Sequence, residues 1–302
     1  MDLIAIVRSV LAAFARRPAL WPIGVIAVIA GQGAGPISWL SVELRAVPTL
    51  QAATVQALLQ INAGTLIVFA AGLLALGVVQ SAAGALLQGT LIALVAPEAA
   101  PSLGDALQAA VRRFRPLFVV RLLIGVSVLA PALLTLAAVI VVVAVATTGI
   151  DLPEGTRAAL ALMVLCLVPL FLLIALSALA LSVVETLAMR ACMLSDAGAL
   201  AAMRRGWRLL RKRSVPVAGL WLTALVLGAA GGFVAGLIAT ELTRPAVTAL
   251  VLGEPLAAVL AARLAVAYAL VLATGGALTA LQSAIWTRGY QVITAAAAPL
   301  GA

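Results

Sequence analysis

The sequence predicts an all-α protein, a polytopic transmembrane helical bundle of six spans that forms one membrane domain, 1–302. Of its 302 residues, 65% are hydrophobic and 10% are charged, whereas a soluble domain is about half apolar and a quarter charged. Six stretches lack Asp, Glu, Lys and Arg, and each is long enough for a span of roughly 20 residues. They are 18–42, 46–97, 122–150, 158–184, 214–240 and 264–287.

The stretch 46–97 is the one that could hold two spans. Its first third is polar, with Gln51, Thr54, Gln56, Gln60 and Asn62 at near-helical spacing. This pattern favours an amphipathic lead-in that is followed by one long span over 65–96. Two spans here would put the basic clusters of the chain on opposite faces of the membrane, so we predict six spans in total.

The basic residues predict the orientation. With six spans, 15 of the 19 basic residues fall on the side that holds both termini, while the 10 acidic residues divide five and five. Lys and Arg concentrate in cytoplasmic loops. We therefore expect a multi-pass protein of the bacterial inner (plasma) membrane with its N- and C-termini in the cytoplasm. Arg16 and Arg17 precede an apolar stretch, as in a signal peptide, but its length favours an uncleaved helix.

Three similar basic clusters predict an internal repeat. Arg-Arg pairs begin at positions 16, 112 and 204, and two consecutive alanines precede each pair by a few residues. Two predicted spans follow each pair. The pattern predicts three repeats of an interfacial helix plus two transmembrane helices, 1–97, 98–193 and 194–302. Chance similarity between short alanine-rich segments is the alternative.

Each basic cluster also has the design of an interfacial helix. Apolar residues recur at helical spacing beside the arginines, which predicts a helix in the interface with its basic face toward anionic headgroups. Ser102 and Asp105 predict a capping box, and Ser195 or Asp196 a cap for the third helix. Ordinary positive loops with helical ends are the alternative. The residues expected to contact anionic lipid are Arg16, Arg17, Arg112, Arg113, Arg204 and Arg205.

Ionisable residues inside spans are functional candidates because they are costly there. Arg121 and Glu185 lie at similar predicted depth, so they could form a charge pair that belongs to a polar cavity or gate. A helix-locking pair, or two side chains that reach the interface, is the structural alternative. A polar seam along the even-numbered spans is a second candidate, or else a set of packing contacts. Its residues are Gln80, Gln88, Ser182, Arg190, Gln282 and Arg288.

Small residues mark a packing face on the fifth span. Gly228, Gly232 and Gly236 form two overlapping GxxxG steps, which let two helix backbones approach closely. We expect this face to meet another helix, either within the chain or in a membrane-protein partner.

Several classes of activity are disfavoured by composition. Histidine is absent, there are two cysteines, and the one lysine follows no glycine-rich loop. These absences argue against histidine-ligated metals and haem, triads and a Walker A loop, so we expect no cofactor and no enzymatic activity. The basic excess lies in short loops beside spans and aromatic residues are few, so we expect no nucleic-acid partner.

The segments from Asp105 to Phe114 and from Asp196 to Trp207 share an Asp, an alanine-rich turn, Arg-Arg and a nearby aromatic residue, and each leads into a span. In this layout the chain resembles uncharacterised six-helix bacterial membrane proteins that are similar to the membrane domain of glycerophosphodiester phosphodiesterases. The resemblance implies a membrane-embedded accessory role without the catalytic barrel. We expect a non-enzymatic scaffold or accessory subunit that organises lipid or partner proteins. The alternative is a small transporter or permease with a polar path near Glu185 and Arg121.

Overall fold

A computed structural model describes residues 2–17, 19–32, 63–96, 102–147, 154–252 and 258–295. These residues form nine α-helices and no strand. In chain order the helices are α1 (Leu3–Arg16), α2 (Leu20–Ala27), α3 (Ala63–Val95), α4 (Leu103–Arg112), α5 (Phe114–Thr147), α6 (Glu154–Leu194), α7 (Ala199–Lys212), α8 (Ser214–Val251) and α9 (Ala258–Ala295). A π-helical turn, Val28–Gln32, extends α2.

Five of these helices are long and apolar enough to cross a membrane, which confirms the prediction of a helical membrane protein. The spans are Leu74–Val95, Phe114–Pro131, Pro169–Leu194, Ser214–Ala249 and Ala258–Ala295. The first predicted span, 18–42, is described only as far as Gln32, so the count of six rests on residues outside the described ranges. The predicted single long helix at the end of 46–97 is confirmed by α3, whereas the polar lead-in also lies outside them.

Three short helices, α1, α4 and α7, carry the basic clusters, and the first turns of α1 and α4 show why these two begin where they do. The side chain of Asp2 accepts a hydrogen bond from the Ala5 N–H at 3.1 Å. The predicted capping box is confirmed, since the Ser102 hydroxyl accepts from the Asp105 N–H and the Asp105 carboxylate accepts from the Ser102 N–H. The Ser102 hydroxyl also donates to the Asp105 carboxylate at 2.7 Å, and this bond, together with the one from the Ser102 N–H, holds the pKa of the exposed Asp105 below its usual 3.8.

The predicted cap of α7 is wrong. Its N-cap is Gly198, with no side-chain hydrogen bond. Ser195 instead continues the end of α6 by donating its N–H to the Ala191 carbonyl. Asp196 has a φ of 54° and pairs with Arg113, so its carboxylate is engaged away from α7. Local spacing could not predict this, because it depends on a contact between two loops.

The short helices end at arginines, although not always at the predicted pair. Arg17, Arg113 and Arg213 are the C-cap residues of α1, α4 and α7. Arg204 and Arg205 lie in the middle of α7, so the third Arg-Arg pair is displaced from the end of its helix. Pro116 and Pro216 are each the third residue of the following long helix, where proline is tolerated.

The core lies where α3, α6 and α9 meet one another, towards their C-terminal ends. The largest fully buried apolar side chains of these helices are Leu91, Ile92, Leu187, Met189 and Ile285. The short helices cover this core, α1 against α9, α4 against α3 and α7 against α6. The bundle is therefore closely packed at the end that holds the C-termini of α3, α6 and α9. Nearer the other end, large apolar side chains face outward.

Glycines allow a direct backbone contact between α2 and α9. A Cβ atom built on Gly24 would lie 2.1 Å from the Gly276 carbonyl oxygen, and one built on Gly276 would lie 2.5 Å from the Val25 backbone nitrogen. The two backbones therefore touch directly, because neither residue has a side chain between them.

Candidate functional site

Arg121 and Glu185 face each other between α5 and α6. The Arg121 Nη1 atom lies 3.9 Å from the Glu185 Oε1 atom, and the two side chains are 21% and 24% exposed. Opposite charges at this separation attract, and they attract more strongly where water is sparse. The arrangement links α5 to α6 and leaves Glu185 paired rather than alone inside a span.

Arg190 is the largest fully buried side chain of the described residues, with 1% exposure. Its Nη1 atom donates to the Thr186 carbonyl at 2.6 Å and its Nη2 atom donates to the Ser283 carbonyl at 3.2 Å. Its guanidinium carbon lies 6.0 Å from the centre of the Trp286 ring. Its Nε atom has no hydrogen-bond partner, and Arg190 makes no ion pair within the described ranges. Arg190 is therefore enclosed by α6 and α9 and held by helix carbonyls.

The predicted polar seam is only partly assembled. Ser182 and Gln282 line one cavity of about 220 Å³ between α6, α8 and α9, together with Val183, Thr186, Trp221, Ala224, Leu225 and Trp286. The Gln282 side chain donates to the Ala224 carbonyl at 3.0 Å, which ties α9 to α8. Gln80 is exposed on α3, away from this cavity, while Gln88 and Arg288 are half-buried.

The predicted glycine face of α8 lines a groove. Gly228 lies against the Gln282 side chain, but a Cβ atom built on Gly232 or Gly236 has no other atom within 4 Å. These glycines border a groove of about 490 Å³ between α8 and α9, which shares Leu225 and Gln282 with the cavity. Of the three glycines, only Gly228 makes the close interhelical contact that the spacing predicts within the described residues.

The six arginines expected to contact lipid have different surroundings. The Arg17 guanidinium donates to the Leu94 carbonyl at the end of α3, and Arg113 pairs with Asp196 after α6. Arg205 is half-buried, Arg112 and Arg204 are exposed, and the side chain of Arg16 lies outside the described residues. Arg17 and Arg113 therefore act in part as ties between connections and helix ends.

The surface where α7 meets α6 has the clearest combination of charge and apolar area. Arg204 and Arg208, one helical turn apart and both exposed, line a cavity of about 620 Å³ with Trp207. Leu181 and Val184 of α6 and Met203 of α7 complete its lining. Sequence reasoning did not select Trp207 or Arg208 as contact residues, although the i, i+4 spacing from Arg204 to Arg208 was a usable signal.

The described residues contain no group of three or more His, Cys, Asp or Glu side chains that could hold a metal ion. Cys192 is buried as a free thiol. No protein family, curated protein or solved structure matches the chain.

Proposed function

We propose that this protein is a non-enzymatic scaffold of the bacterial inner membrane that binds anionic phospholipid on its cytoplasmic face through α1, α4 and α7. The observation that carries the proposal is the surface between α7 and α6. There Arg204 and Arg208 border an apolar cavity beside Trp207. Arginine suits phosphate because its planar group presents several donors at once, and tryptophan favours the membrane interface.

The exposed faces of α7 support an interfacial position. Leu200 and Trp207 are 62% and 51% exposed, while Ala202 and Gly206 are buried against the bundle. A helix of this kind packs one face against the rest of the protein and has a second apolar face that is not covered by protein. Burial of that second face at the headgroup boundary, with Arg204 and Arg208 beside it, satisfies both the apolar and the basic side chains.

The other short helices have the same division of faces. On α4, Leu103, Leu107 and Val111 form an exposed stripe at i, i+4 and i+8, and Arg112 is exposed at its end. On α1, Ile4 and Leu11 are exposed seven residues apart. Three such helices around one end of the bundle would give the protein a collar that favours anionic lipid.

A threefold repeat of short helix, long helix, long helix is part of the proposal. Its support is the role shared by the C-cap arginines. Arg17 bonds the end of α3, Arg113 bonds the loop after α6, and Arg213 shares a cavity with Val292 in the last turns of α9. Each arginine therefore lies beside the end of the second long helix of its own proposed repeat.

Lipid retention by the purified full chain tests the function. Native mass spectrometry after exchange into phosphatidylglycerol or phosphatidylcholine should find more retained phosphatidylglycerol. The double variant Arg204→Gln with Arg208→Gln should lose most of that preference. Arg244→Gln is the matched control, since Arg244 is exposed and pairs with Glu241 outside this surface. Equal retention of the two lipids, or an unchanged preference in the double variant, would refute the proposal.

Transport is a second candidate function. The observation that favours it is the pair between Arg121 of α5 and Glu185 of α6, because α6 also lines the cavity with Ser182 and Thr186. A permease would use the pair as a gate beside a polar path. Solute uptake into vesicles should then depend on Glu185, with loss in Glu185→Gln. Wild-type and variant vesicles that show the same solute flux as empty vesicles would exclude this function for the solutes tested.

A further inference from the structure

We infer that the cavity between α1, α8 and α9 holds one anionic phospholipid, whose phosphate binds Arg213. Such a site deepens the proposed function and rests on it, because the lipid comes from the leaflet that the three short helices face. The site is distinct from the surface of α7, since the two cavities share no lining residue. Its support is an unpaired arginine in the cavity wall, an apolar lining and a position at the end of a span.

Arg213 differs from the other two C-cap arginines in its surroundings. Arg17 donates to the Leu94 carbonyl at the end of α3, and Arg113 pairs with Asp196 after α6. The side chain of Arg213 makes no hydrogen bond or ion pair with any residue that the structure describes. It lines a cavity of about 420 Å³ beside the last turns of α9 instead. The third proposed repeat therefore has a cavity where the first two have an acceptor for the arginine.

The lining of this cavity favours a lipid over a free phosphate ion. Around Arg213 it consists of the apolar or small residues Leu3, Val215, Pro216, Gly219, Val292 and Ile293. Val215 and Val292 are 81% and 44% exposed, so a lipid can enter from the side of the bundle. The volume of about 420 Å³ lies within the roughly 300–1,000 Å³ of common ligand pockets. It accommodates a phosphoglycerol head and the first carbons of the acyl chains, which gain from the apolar wall.

The cavity lies at the level of lipid phosphates and has a positive field. Arg213 directly precedes the span Ser214–Ala249, and the headgroup region begins where the hydrocarbon core ends. The Val217 N–H donates to the Arg213 carbonyl at 3.1 Å, so the N–H groups of Ser214 and Val215 lie before the first hydrogen bond of α8. Such groups add to the attraction that the guanidinium exerts on an anion. None of the described residues that line the cavity is acidic.

Titration of the purified full chain with phosphatidylglycerol, followed by native mass spectrometry, tests the inference. The variant with Arg204→Gln and Arg208→Gln is the parent, because it removes the proposed α7 surface from the count of bound lipids. We expect one lipid to bind the parent more tightly than the lipids that follow. Arg213→Gln should weaken this first lipid about tenfold, as for the loss of one charge-assisted hydrogen bond. Glycerol 3-phosphate, which has the phosphate without the chains, should not displace it.

A second variant and two matched controls separate the site from general effects. Val292→Trp should weaken the first lipid without removing a charge, because the larger side chain fills the cavity. Its control is Val259→Trp, which adds the same side chain at a 66% exposed valine in the first turn of α9. The control for Arg213→Gln is Arg211→Gln, since Arg211 is exposed two residues earlier and does not line the cavity. Both controls should bind the first lipid as the parent does.

Several results would overturn the inference. Unchanged affinity for the first lipid in Arg213→Gln would exclude the arginine as its ligand. Unchanged affinity in Val292→Trp would exclude the cavity, and this variant decides the matter even if Arg213→Gln does not fold. Displacement by glycerol 3-phosphate would show that the site binds phosphate without a lipid. Failure of the proposed function is distinguishable, because it would appear as an unchanged lipid preference when Arg204 and Arg208 are replaced, whatever Arg213→Gln does.

Discussion

The contact between α2 and α9 leads to a quantitative prediction for Gly24→Ala. The new Cβ atom would lie 2.1 Å from the Gly276 carbonyl oxygen and 2.8 Å from its carbonyl carbon. Both are backbone atoms, so no side-chain rotation can make room. The helices must separate by about 1.3 Å or more to restore an ordinary van der Waals distance. Such overpacking costs about 1–3 kcal/mol.

A gain in helix propensity opposes part of that cost. Alanine is better than glycine in a helix by about 1 kcal/mol, so we expect Gly24→Ala to lower the free energy of unfolding by a net amount of about 2 kcal/mol at the upper end. The assay is reversible unfolding of the purified protein by SDS in mixed micelles. The control is Gly77→Ala on α3, where a Cβ atom meets nothing within 4 Å.

Gly24→Ala should therefore be less stable than Gly77→Ala. Gly77→Ala should leave the free energy of unfolding unchanged or raise it by up to about 1 kcal/mol. If Gly24→Ala proves as stable as Gly77→Ala, then α2 and α9 do not touch at their backbones, and the interpretation of this contact is refuted.

Three further predictions concern charge, pH and topology. A double-mutant cycle with Arg121→Gln and Glu185→Gln should give a coupling of about 1 kcal/mol, whereas additive losses would mean that the two groups do not interact. Protection factors for amide hydrogen exchange in the first turn of α4, which correct for the intrinsic pH dependence of exchange, should be unchanged from pH 7 to 5 and should fall as pH falls below 3.8. The stabilisation of this turn by ionised Asp105 is complete above the unfolded pKa and is lost on titration through the lower folded pKa. A protection factor that is the same in Asp105→Asn at pH 7 would contradict this. In a cysteine-free background, Ser195→Cys should be labelled only from the cytoplasmic side and Leu252→Cys only from the other, and labelling of both from one side would refute the predicted orientation.

Charge-free stretches predict the long helices well because a span must exclude unpaired charges. They predict helix ends less well. The fifth stretch ends at 240, yet α8 continues to Val251 past Glu241 and Arg244. These two residues are about 70% exposed and lie 3.4 Å apart on one side of the helix. Charges that end the apolar run do not end the helix, because an i, i+3 ion pair is compatible with helical backbone.

The surroundings of side chains could not be predicted from the sequence. A helix that is apolar on all sides has no strong periodicity to show which face is covered. Arg190 could therefore be assigned to the right end of its helix but not to the right face, and it is buried against α9 rather than exposed. For the same reason the glycine pattern on α8 identified a helix face without large side chains but did not indicate what lies opposite that face. Gly24 and Gly276 could not be paired, since nothing local indicates which helices meet.

Differences between corresponding positions of the proposed repeats account for the candidate sites. Leu20, Leu117 and Val217 are buried near the start of α2, α5 and α8, with 1%, 0% and 1% exposure. Four residues later, one turn along the same face, the chain has Gly24, Arg121 and Trp221. Gly24 allows backbone contact with α9, Arg121 faces Glu185, and Trp221 lines the cavity. If the repeat is real, a symmetrical scaffold has acquired a packing contact, an ion pair and a cavity at one structural position.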